Sequence, residues 1–386
     1  MSRTPRAIGP STAAIHGALH PRADRSPVVP PIVQSSTFVN PVGSSGEPLY
    51  TRYGNNPNQI EIGEKLALLE GAESALFLAS GMSATALAHL AVLRPGDHLV
   101  ASAWIYGGTR RLFTEQFAQL GIEVTLVDPS HKRAFKDAIR KETRAVFAEL
   151  VANPFMRVVD VEPLAKMCRA SGLAFLVDAT FASPVNCRPL DFGVDAVIHS
   201  ATKYLNGHSD VIAGAVAGSA AFIEEVRQLM HVWGPSLDPH AAWLIDRGMR
   251  TLTVRVERHN ANGLAFACWA QKHRDITAVH YPGLPSHPDH AIAKRLLKGF
   301  GGMVGIQVKG GVKRVERALR RLKVAFHAPS LGGVETLVSE PRLTSHAMLT
   351  AAQRAALGIP DGFVRVSVGI EDVEDIIADF ERALSA

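Results

Sequence analysis

Cysteine is scarce here: Cys168, Cys187 and Cys268 are all that the 386 residues contain. They stand too far apart for a zinc or dithiol motif, so reduced thiols in a cytoplasmic protein are expected. Long hydrophobic runs are missing as well. No unbroken apolar stretch reaches the roughly eighteen residues of a membrane helix. The opening segment MSRTPRAIGPSTAAIHGALHPRADRSPVV lacks the apolar centre of a secretory signal. Its Pro, Ser and Arg residues suggest instead an extended arm that lies on another surface. HExxH, GxxxxGKS/T and GxSxG do not occur, which removes the usual signals for zinc proteolysis, P-loop phosphoryl transfer and the serine-hydrolase elbow.

Negative charge is in short supply: 36 acidic residues face 41 basic ones, a formal net charge of +5. The densest basic run, VKRVERALRRLKV over 312–324, contains no aromatic residue. Its Val315, Leu319 and Leu322 share one helical face, so its Arg and Lys residues form the solvated side. Nucleic-acid binding is not expected, and a modest positive excess suits small anionic molecules equally well. His273, His280, His287 and His290 crowd together, but Pro282, Pro285 and Pro288 among them mark an irregular connection. With no acid or cysteine at fixed spacing, this reads as a polar loop and not a metal site.

What is present is an apolar chain, 47% hydrophobic, long enough for two domains. From about Glu61 to Met230, apolar runs alternate with amphipathic stretches: ALFLAS, DHLVAS, EVTLVD, RAVFAEL, LAFLVDAT and DAVIHSA, with helix-like segments between them. Strands of this kind predict a parallel sheet covered on both faces, with ligands at the strands' carboxyl ends. Beyond about residue 250 the pattern shifts to short strands, GGMVGIQVKG and FVRVSVGI, and a closing helix, EDVEDIIADFERAL. The expected architecture is α/β: an N-terminal arm (1–57), a large, mostly parallel-sheet domain (58–250) and a smaller α+β domain (251–386).

The chemistry gathers around DAVIHSATKYLNGHSD. Lys203 follows a buried strand and sits among the hydroxyls of Ser200 and Thr202. In FLVDATF, Asp178 ends another buried strand, where an ionised carboxylate is costly without a positive partner. In LASGMSATAL a strand runs through Ser-Gly-Met-Ser into a helix, whose free N–H groups suit a phosphate. Tyr106, in WIYGGT, follows a further strand end and can stack on a planar ring. An imine-forming lysine, a carboxylate for a pyridinium nitrogen, a phosphate cradle and an aromatic lid together specify pyridoxal 5'-phosphate.

SATKYLNGHSDVIAG resembles the signature of the Cys/Met-metabolism, or trans-sulfuration, family of fold-type-I pyridoxal-phosphate enzymes. VVPPIVQSSTF, YTRYGNNPN, LEGAESALFLASGMSA, PSLGGVETL and VRVSVGIED extend the resemblance along nearly the whole chain. It implies that Lys203 carries the cofactor, that Asp178 meets its ring nitrogen and that Tyr106 stacks on the ring near the substrate amine. Gly81, Met82, Ser200 and Thr202 would hold the phosphate, joined from a neighbouring subunit by Tyr50 and Arg52. Arg365 would clamp the substrate carboxylate, with Asn153 and Ser330 lining the same pocket and Arg111 suited to a distal carboxylate. A homotetramer of active-site dimers is implied, acting on a small amino acid.

The implied reaction is γ-elimination or γ-replacement on cystathionine or a homoserine ester. Cystathionine β-lyase and methionine γ-lyase chemistry are the alternatives, a transaminase the nearest other enzyme, and a non-catalytic scaffold the rival of another class. Val151-Ala152 before Asn153-Pro154, Ala179 after Asp178 and Pro329 before Ser330 depart from the family's common residues. Only Pro329, standing where the cystathionine γ-enzymes commonly carry Glu, bears on substrate choice.

Overall fold

The computed structural model describes residues 8–17, 23–43, 45–131, 133–344, 350, 354 and 358–385. Seven strands build the large sheet: β1 (Ser74–Leu78), β2 (His98–Ser102), β3 (Glu123–Val127), β4 (Thr143–Glu149), β5 (Ala174–Asp178), β6 (Ala196–His199) and β7 (Gly214–Gly218). Their order is β1-β7-β6-β5-β4-β2-β3. All run parallel except β7, which lies antiparallel between β1 and β6. β7 is GAVAG, too rich in glycine to announce itself as a strand. Burial between two neighbours overrides that weakness: all five residues are buried.

Helices cover both faces, so the strands bury apolar side chains on each side. Phe175, Val177 and Val197 join one core cluster, while Phe147, Leu176 and Ile198 join the other. Two covering helices begin at fixed caps. In α1 (Pro57–Glu70), Asn56 and Gln59 form a reciprocal capping box; in α2 (Gly81–Leu90), Ser80 and Ser83 do the same. The second cap sets the pocket floor. It leaves the Gly81 and Met82 amides, among the described residues, without helical partners.

A second sheet follows, ordered Ile276–His280, Met303–Val308, Phe363–Ser367, Leu337–Ser339 and Phe326–His327. The 21-residue helix Leu252–Lys272 and the closing helix Val373–Leu384 pack on it through Phe266 and Phe380, whose ring centroids are 4.9 Å apart. Asp289 joins the two parts, accepting from Arg157 Nε at 2.6 Å and from the Val158 amide at 2.9 Å.

The crowded histidines have ordinary partners. His287 Nε2–H donates to Phe155 O, His290 Nδ1–H donates to Pro282 O, and the His280 ring lies against Phe155 and Phe363.

The N-terminal arm is not extended throughout, contrary to the sequence expectation. Pro10–His16 forms a helix, started by proline in its first turn, and buries Ala13 and Ala14 in the main core. Residues 1–7, 18–22 and 44 of that arm lie outside the described residues. Among the described residues no helix is long and apolar enough to cross a membrane.

Candidate active site

A cavity of about 580 Å³ opens at the carboxyl ends of β4, β5 and β6. Ser80, Gly81, Met82, Tyr106, Asn153, Asp178, Ser200, Thr202, Lys203, Ser330 and Arg365 all line it. Residues up to 285 positions apart in sequence therefore share one space: the parallel strands end on one edge, and the second sheet brings Ser330 and Arg365 over it.

Lys203 Nζ donates to Ser330 Oγ at 2.8 Å. Burial, with the Arg365 charge second, lowers the Lys203 pKa to about 8. Ser330 itself has φ +97, a strained backbone for a residue with a Cβ and one that aims its hydroxyl at the lysine. Arg365 is 6% exposed. It donates to Asn153 Oδ1 at 3.3 Å and Ser330 O at 3.0 Å, while its Nε has no partner among the described residues.

On the floor, Asp178 accepts the Thr180 amide at 2.8 Å, and burial raises its pKa. Glu149, which no sequence motif marks, stands one strand away in register with Asp178. Burial, and then the Asp178 charge, raises its carboxyl well above the usual range. Its only signal is a lone acid closing the apolar run AVFAE, the same pattern that Asp178 makes in AFLVD.

The fit to a phosphate and ring can be tested on glycine. A Cβ added at Gly81 would meet Ser200 Cβ and Oγ at 2.9 Å, so only glycine lets the helix N-terminus close on that hydroxyl. Two free amides, the Ser200 hydroxyl and a half-buried amine form a concave donor set facing a half-buried carboxylate. These residues fit pyridoxal 5'-phosphate: amides and hydroxyls for its phosphate, Asp178 for its ring nitrogen, and Lys203 for its aldehyde. Thr202 is the weaker donor, since its hydroxyl already exchanges hydrogen bonds with the Ala213 backbone.

Three of the expected residues lie elsewhere. Tyr50 and Arg52 are outside the pocket of their own chain, where the Arg52 guanidinium donates to His231 O and lies 5.4 Å and 5.1 Å over the Tyr50 and Tyr53 rings. Arg111 is also outside it, 60% exposed and bonded at 2.8 Å to Glu115 one helical turn on. Of the neighbouring pair, Arg110 is the less exposed.

A mostly parallel sheet with a lysine, a carboxylate and a phosphate cradle at its carboxyl edge defines a fold-type-I pyridoxal-phosphate enzyme. The chain matches the family described as Cys/Met metabolism PLP-dependent enzyme over residues 11–385, and it belongs to that family. It is 42% identical to cystathionine gamma-synthase 1 of Arabidopsis thaliana over 87% of this chain, and spans 60% of that longer relative. It is 40% identical to the L-methionine gamma-lyase of Porphyromonas gingivalis, over 98% of this chain and 97% of the relative. The solved cystathionine gamma synthase of Xanthomonas oryzae pv. oryzae, in complex with aminoacrylate and cysteine, superposes with a TM-score of 0.94. That pair is 38% identical and covers 98% of each chain.

Proposed function

We propose that this enzyme eliminates or replaces the γ-substituent of a homoserine-derived or cystathionine-type amino acid. The observation that carries the proposal is the Lys203–Ser330–Arg365 cluster facing Asp178 across one cavity. Pyridoxal 5'-phosphate supplies an electron sink for the substrate's α-carbon. Arg365 is suited to hold the substrate carboxylate through its planar fork. Lys203 Nζ takes the α-proton as general base and delivers a proton to the β- or γ-position. Ser330 Oγ, at 2.8 Å, orients the amine between those tasks.

A panel of cystathionine, O-acylated homoserines and methionine tests the reading, with 2-oxobutyrate and ammonia the expected γ-elimination products. Pyruvate with homocysteine from cystathionine would contradict it in favour of β-elimination. Methanethiol from methionine is the second reading, favoured by an apolar rim of Ile212, Pro329 and Leu343 and by the Glu115 tie on Arg111. Arg111→Ala separates the two. A higher KM on distal-carboxylate substrates, with methionine unaffected, supports the first reading. No change on either substrate supports the second.

Cofactor capture should follow the state of Lys203, because only the neutral amine attacks an aldehyde. At pH 7.5 a pKa of about 8 leaves roughly a quarter of the amines neutral, against about one in a thousand for an ordinary lysine. The loading rate of the apoprotein should rise with pH, reach half its plateau near a pH of about 8, and level roughly one unit above that. A rate still climbing at about pH 10 would indicate an unperturbed lysine.

The same proposal includes a cytoplasmic location, which suits three free thiols, and the division into arm, cofactor domain and substrate domain at 57/58 and 250/251. It also includes a homotetramer in which Tyr50 and Arg52 complete a neighbour's phosphate site. Their position outside their own pocket, beside the exposed Val232 and Trp233, favours that arrangement. Mixing inactive Arg52→Ala subunits with inactive Lys203→Ala subunits should restore activity, because hybrids hold one intact site. Mixed oligomers with no recovery would contradict the shared site.

A further inference from the structure

Glu149 is a buried carboxylate that none of the steps above uses. It ends β4, is 5% exposed and lies in register with Asp178, so the two side chains leave the same face at the same sheet edge. Among the described residues no lysine or arginine pairs with it. A buried acid without a cation is unfavourable, and a second acid beside it makes matters worse. For packing alone, Leu or Gln would serve better.

What Glu149 does hold is backbone: its Oε1 accepts the Tyr106 N–H at 2.6 Å, and its carboxylate also takes the Asn153 amide as a weaker partner. Tyr106 has few other constraints. It is 47% exposed and precedes a five-residue helical segment, Gly107–Arg111, that has no side-chain cap. Its ring rests over Gly108, where an added Cβ would meet Tyr106 Cε1 at 2.5 Å and Met82 Sδ at 3.2 Å. The tyrosine is thus held from below by one carboxylate oxygen and seated on a glycine.

We propose that Glu149 is a positioning residue that, with Gly108 as the seat, fixes Tyr106 over the ring whose nitrogen Asp178 meets. Glu149 acts through its hydrogen-bond reach, not through its charge. The proposal rests on the cofactor assignment above.

Two substitutions separate reach from charge. Glu149→Gln keeps an acceptor at the same distance and removes the charge. Glu149→Asp keeps the charge and withdraws the oxygen by about 1.5 Å. The readouts are the Kd of the apoprotein for pyridoxal 5'-phosphate and the visible circular dichroism of the holoenzyme.

Glu149→Gln should stay within about twofold of wild type in Kd, while Glu149→Asp should weaken binding about tenfold and lose much of the dichroism. The reverse order, equal losses, or no loss in Glu149→Asp would each overturn the proposal. Gly108→Ala leaves Glu149 untouched but unseats the ring, so it should reproduce the Glu149→Asp changes even if that variant does not fold. Unaltered dichroism in Gly108→Ala would overturn the proposal as well. Wild-type protein that bound no cofactor would instead contradict the cofactor assignment.

Discussion

Replacing Lys203 by alanine is expected to give a folded, colourless protein without turnover. The side chain spans the cavity to Ser330 and contributes nothing to either sheet, so its loss leaves the core intact. What disappears is the one amine among the pocket's lining residues. Covalent hold on the cofactor and proton transfer at the α-carbon are lost together. A positioned base alone is worth about 10²- to 10⁴-fold in rate, so the combined loss should place turnover below detection. Turnover by Lys203→Ala at the wild-type rate, with no colour in the wild type, would contradict the chemistry assigned here.

Asp178→Asn should separate activity from stability. Desolvation at the pocket floor raises the Asp178 pKa, so folding of the apoprotein gains nothing from its charge; without cofactor the amide should melt at the same temperature or higher. Activity depends on that charge, because only a carboxylate keeps a ring nitrogen protonated opposite it. Losing a charge-assisted hydrogen bond of about 1.5–3 kcal/mol lowers turnover roughly ten- to a hundredfold. Weakening of the electron sink adds to that loss. Thermal denaturation of the apoprotein and steady-state rates of the cofactor-loaded protein check it. Near-wild-type rates in a loaded Asn variant would remove Asp178 from its role.

Much of this is legible in the sequence, for specific reasons. The parallel strands announced themselves because burial on both faces demands unbroken apolar runs, as in AFLVD and AVIHS. Lys203, Asp178 and Gly81 stood out because strand ends at a sheet edge carry chemistry. β7 stayed hidden, since GAVAG has no propensity of its own and becomes a strand only between two others. Glu149 stayed hidden too: its importance depends on register with Asp178 and on a backbone amide 43 residues away. Neither relation is a sequence pattern. The helix at Pro10–His16 was masked by the Pro- and Arg-rich segment around it. Arg111 shows the opposite hazard, a residue that matches a family position yet bonds to Glu115 on its own helix.

The central claim is that one amine, Lys203, holds pyridoxal 5'-phosphate, and reductive trapping tests it most directly. Purified protein is treated with borohydride and digested, and the peptides are sequenced by mass spectrometry. The account predicts a single reduced pyridoxyl-phosphate adduct, on the peptide that contains Lys203, with loss of the visible absorption. An adduct on another lysine, such as Lys65, or no adduct in coloured protein would contradict it.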